Sequence, residues 1–167
     1  MNILLHFCQW IYSTSLGTSI RESTYVFPII ETVHTLAIVL LVGTVAMVDL
    51  RLLGLVLKEE PVSQVAGQLL PWTWAGFAIM FASGGLLFAA EAAKIYGNPA
   101  FRLKLLLLFL VGLNPLIFHF TIYRNVSSWD TAPITPARAR LAAFLSLSLW
   151  GGIIITGRAI AYFHAGA

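Results

Sequence analysis

Four long apolar stretches occupy most of this 167-residue chain. Each has the ~20 residues a helix needs to cross the hydrocarbon core of a bilayer. Nothing else constrains the fold as strongly. Hydrophobic residues make up 59% of the chain and charged residues 10%, too little polar surface to cover a small soluble core. None of the stretches alternates as a strand does, and lipid requires each crossing element to satisfy its own backbone hydrogen bonds. The predicted fold class is therefore all-α: a membrane-embedded four-helix bundle with a short N-terminal interfacial helix. The whole of residues 1–167 forms one integral membrane domain, with no room for a soluble catalytic domain.

The spans are expected at about 28–57, 71–94, 100–123 and 136–164. Before them, Ile3, Phe7 and Ile11 recur every fourth residue, which predicts an amphipathic helix over 2–17 lying in the interface. Ser19 and Glu22 have capping-box spacing, and Pro28 suits a first helical turn. Trp72 and Trp74 suit an interfacial level at the start of the second span. Gly97, Asn98 and Pro99 mark a turn before the third span, which Asn114 and Pro115 interrupt. The stretch "SSWDTAPITPARAR" is a long polar loop before the fourth.

The net charge of +3 is dispersed, so the clustered basic face of a nucleic-acid binder is missing and nucleic acid is dropped as a partner. Cys8 is the sole cysteine, which excludes an internal disulfide and a thiolate cluster. The first residues lack a basic stretch and a cleavage pattern, so no removable signal peptide is expected. Arg51, Lys58, Arg124, Arg138 and Arg140 fall toward one end of the bundle, and Arg21, Lys94, Arg102, Lys104 and Arg158 toward the other. The positive-inside rule is thus tied; the exposed loops carrying Arg124 and Arg138 tilt their end toward the cytoplasm.

Ionisable residues inside apolar spans are the candidates for chemistry, because lipid-facing charge is expensive. His34 lies roughly 10 Å along the helix from Pro28, with Glu31 on the same face. His164 ends the fourth span at the same side of the membrane. His119 belongs to the opposite side, roughly 18 Å away along the normal, and cannot share a metal with His34. Two histidines from two helices are what a bis-imidazole haem b requires. His34 is therefore the first candidate ligand, with His164 and His119 behind it. Lys104 and Arg158 would hold the propionates, and Ser83, Gly84, Gly85, Gly151, Gly152 and Gly157 could leave a flat slot. His119 with Met80 or Met47 is a candidate for a second haem. Plainer readings stand beside these. Small residues also serve helix packing, methionine fills gaps, and each histidine could be a bonded structural residue. Asp49 and Arg51 read as a water-edge anchor paired with groups such as Arg124 or Trp129, and Glu91 with Lys94 as an ion pair.

The pattern Glu31, His34, Leu36, then "DLRLLG" (Asp49 to Gly54), "LNPLIFH" with Lys104 before it, and "LWGGIIITGRAIAY" resembles a group of small, functionally uncharacterised bacterial four-helix membrane proteins. The resemblance runs from Glu31 to Tyr162 and implies the fold and a place in the bacterial cytoplasmic (inner) membrane. More remotely, the histidines are similar in arrangement to those of membrane-bound b-type cytochromes and of copper-resistance membrane proteins. Two in-register histidine pairs are absent, so the cytochrome likeness is architectural. The expected function is electron transfer by a haem b membrane protein between a quinol or other redox partner and a second carrier. The alternative is a cofactor-free accessory or scaffold subunit of a larger membrane complex or homo-oligomer, or a proton- or metal-ion-conducting protein. Soft-metal transport is disfavoured by the single cysteine.

Overall fold

A computed structural model of the chain describes residues 3–132 and 134–162. Among them the helices run, in order, α1 (Ile3–Ser13), α2 (Ser15–Glu22), α3 (Val26–Leu52), α4 (Val62–Ile95), α5 (Pro99–Thr121), a 3-10 turn (Tyr123–Ser128) and α6 (Ala137–Ala159). Helices α3, α4, α5 and α6 are each long and apolar enough to cross a membrane. Their outward surface is dense in large apolar side chains, among them Leu36, Val39, Phe81, Phe109 and Ile155. In water such a surface would aggregate; in a bilayer it meets lipid.

The spans are arranged as two antiparallel hairpins. In the first, α3 packs along α4, with His34 opposite Ser83, Leu41 opposite Gly76 and Thr44 opposite Thr73. Gly76 permits the close approach: a Cβ there would stand 2.9 Å from the Leu41 amide nitrogen. In the second hairpin, α5 packs along α6. The Asn114 amide donates to the Ala142 carbonyl at 3.0 Å, and the Asn98 amide to the Ile160 carbonyl at 3.0 Å. The hairpins meet chiefly through α3 and α6, where Leu41, Val111, Trp150 and Ile153 form a buried apolar cluster at mid-depth. Near the α4–α5 turn, Phe88 stacks on Phe101 at 5.9 Å.

Several local expectations are corrected. The first span stops at Leu52 instead of running on to 57. Gly54 takes φ +73°, its amide donates to the Arg51 carbonyl, and the Leu55 amide donates to the Leu50 carbonyl. This is a Schellman stop, which needs a left-handed residue just past the helix. The helix that carries the second span begins at Val62, well before 71, and has Pro71 in its interior. Its start is capped from a distance by Asp130, whose carboxylate accepts from the Ser63 amide at 2.8 Å and from the Ser63 hydroxyl. Ser19 lies inside α2 and caps nothing. Thr14 caps α2 by accepting from the Gly17 amide, and the Ser23 hydroxyl oxygen accepts from the Val26 amide at the start of α3.

The N-terminal segment is two helices, not one continuous helix over 2–17, and both pack against α4. Arg21 pins them there. Its guanidinium donates to the Ala90 carbonyl of α4 and to the Tyr12 carbonyl, 3.2 Å each, and lies 3.8 Å over the Tyr12 ring.

Candidate functional site

His34 sits at the α3–α4 seam, half-buried. The Ser83 hydroxyl donates to the Ile79 carbonyl at 2.6 Å. Its oxygen is thereby left to accept from His34 Nδ1–H, 2.9 Å away. With the proton on Nδ1, the lone pair of the neutral imidazole is at Nε2. The ring lies flat against α4 because residue 84 is glycine: a Cβ there would stand 3.0 Å from His34 Cε1. Glu31, on the same face of α3, is exposed. The ring nitrogen Nδ1 is held by Ser83, on the neighbouring helix and buried.

Lys104 of α5, on the other hairpin, lies within electrostatic range of His34. It is half-buried, and its ammonium lies against α6, 3.6 Å from where a Cβ on Gly157 would stand. The one ion pair among the described residues joins Lys94 to Glu91 at 3.1 Å, so no described acid neutralises Lys104. A cation held at this depth without an acid favours an anionic group beside it. The site thus brings an imidazole packed on Ser83 and Gly84 to the same layer as an uncompensated ammonium packed on Gly157.

Of the other expected site residues, His119 is not brought here. His119 lies at the far end of α5, exposed, with its ring stacked on Tyr123 at 5.6 Å. Arg158 is exposed near the end of α6. His164 lies outside the described residues. No group of three or more His, Cys, Asp or Glu side chains that could hold a metal ion occurs among the described residues.

Asp49 is the acid whose placement the spacing misread. It does not pair as expected: the residue is 6% exposed, its carboxyl faces the Ser146 hydroxyl of α6, and one oxygen, Oδ2, has no hydrogen-bond partner among the described residues. Neither Arg124 nor Trp129 pairs with it. Arg51, 3% exposed, donates from Nε to the Glu60 carbonyl at 2.8 Å. Ser146 and Ser148 are the hints on the sequence of polarity at that level of α6, and serines on membrane helices are too common to single one out.

No curated protein and no solved structure matches the chain. A family of unknown function, DUF6644, matches residues 7–163, and the chain belongs to that family.

Proposed function

We propose that this protein is a haem b protein of the bacterial cytoplasmic membrane that passes electrons between a quinol or other redox partner and a second carrier. One observation carries the reading: His34, with Nδ1 bonded to Ser83, shares a layer of the bundle with Lys104, a cation that no described acid neutralises. A haem asks for that pair of functions, an imidazole for the iron and a cation for a propionate at the membrane edge. Bound there, it would supply one-electron chemistry. His34 would hold the iron together with His164, Ser83 would keep the His34 ring in its orientation, and Lys104 would bind carboxylate.

The apolar cluster of Leu41, Val111, Trp150 and Ile153 supports this reading over ion conduction. It lies between the His34–Lys104 layer and the Asp49–Ser146 pair. A proton or metal ion crossing from one to the other would have to traverse a layer without polar partners.

The reduced-minus-oxidised absorption spectrum of protein purified from haem-sufficient cells tests the proposal. A Soret band is expected, lost or converted to a weak five-coordinate form in His34→Ala. Colourless wild-type protein, or a band unchanged in His34→Ala, removes His34 as a ligand and leaves the accessory-subunit reading.

A further inference from the structure

At the opposite end of the bundle from His34, a cleft of about 210 Å³ opens between the end of α3 and the start of α6. Arg51, Lys58 and Arg140 line it together with Thr135, Leu53 and Ile134, and no acidic side chain does. The three cations reach it from three parts of the chain: the last turn of α3, the loop after it and the first turn of α6. Arg51 is buried, and its bond to the Glu60 carbonyl holds the guanidinium stem in place. The nearby Asp130 carboxylate is occupied by Ser63 at the start of α4.

The start of α6 adds to the positive field. It has no side-chain cap and no acid in its first turn, where the helix dipole favours negative charge. Instead Arg138 and Arg140 stand there. Cations at a helix N-terminus repel its dipole, and an anion bound among them reverses that cost.

We propose that this cleft binds the phosphate of an anionic phospholipid. The shared chemistry is a phosphate ester or phosphate ion held by two guanidinium groups and an ammonium. Two features favour the lipid as its carrier. The cleft joins the ends of two membrane-length helices, which places it at headgroup level. Its lining also includes apolar Leu53 and Ile134, the latter 75% exposed, beside the cations. A headgroup phosphate would sit among Arg51, Lys58 and Arg140 while an acyl chain follows the apolar rim.

Native mass spectrometry of the full chain in detergent, titrated with phosphatidylglycerol or phosphatidylcholine, tests this. Phosphatidylglycerol is expected to be retained about tenfold or more tightly than phosphatidylcholine. Lys58 and Arg140 are exposed, so the Lys58→Gln/Arg140→Gln protein should fold and lose the preference. Arg102→Gln/Arg124→Gln, which removes the same charge outside the cleft, should keep it. Equal retention of the two lipids, a preference that survives Lys58→Gln/Arg140→Gln, or an equal loss in the control variant would overturn the proposal. Displacement of phosphatidylglycerol by equimolar inorganic phosphate would overturn the lipid assignment and make the cleft a site for soluble phosphate.

Discussion

His34 owes its geometry to two residues on another helix, and those residues make it testable without touching the imidazole. Ser83→Ala removes the oxygen that accepts from Nδ1–H, so the ring should lose its fixed tautomer and orientation while the lone pair remains available. If His34 holds a haem as proposed, the variant should still bind it but with a shifted reduced-minus-oxidised spectrum and affinity lower by about 10–100-fold, the range seen when partners of ligating histidines are removed. Gly84→Val should act more severely. Even the first carbon of the new side chain would stand 3.0 Å from His34 Cε1, so the ring must leave the α4 surface. Haem titration of the two variants distinguishes a loosened ring from an expelled one. None of this was legible from Glu31 and His34 alone. Their i, i+3 spacing placed them on one face of α3, yet the partner on α4 was settled by how two helices register, which one helix's periodicity does not contain.

At the level of elements, the first hairpin depends on Gly76 and the start of α4 on Asp130. Gly76→Leu inserts a branched side chain where backbone already approaches to within 2.9 Å of a Cβ position. It should cost about 1–3 kcal/mol, the usual penalty for overpacking, and detergent unfolding followed by tryptophan fluorescence would read it. Asp130 sets a pH dependence. Burial pushes its carboxyl up, but hydrogen bonds from the Ser63 hydroxyl and amide and from the Val62 amide, together with the Arg51 charge, outweigh it and hold the pKa below the usual aspartate range. A group whose pKa is lower folded than unfolded stabilises above its unfolded pKa, about 4, and loses that contribution as the pH falls through the folded value. Thermal melts in detergent should therefore weaken as the pH drops below about 4. Asp130→Asn should flatten that acid limb and cost about 1 kcal/mol at neutral pH, as losing a helix cap does. The sequence showed the polar loop around Asp130 but not that it reaches back to α4. A cap supplied from a distant segment leaves no local signature, and a search for Ser or Asp immediately before a helix passes it by.

For the molecule as a whole, the N-terminal helices are a satellite of the first hairpin, packed on α4 and bonded to it through Arg21. Arg21→Ala removes the bonds to Ala90 and Tyr12 and the contact over the Tyr12 ring. Limited proteolysis should then cut between α2 and α3 about tenfold faster or more, while circular dichroism retains the helical signal of α3 to α6. The four membrane-length helices, their order and their antiparallel connection were determined by the sequence itself. A run of ~20 apolar residues leaves the backbone no alternative to a helix in lipid, and short polar turns leave no alternative to hairpins. The stop at Gly54 was visible in principle too, because glycine is the residue that takes the left-handed conformation without strain. Tertiary structure alone decided which polar groups meet. It put His34 against Ser83 and opposite Lys104, buried Asp49 beside Ser146, and gathered Arg51, Lys58 and Arg140 around one cleft. The physical reason is that apolar helices of this kind show almost no amphipathic stripe. With lipid as apolar as the core, hydrophobic patterning does not choose which face turns inward. Close glycine contacts and a few hydrogen bonds do, and those exist only once two helices are in register.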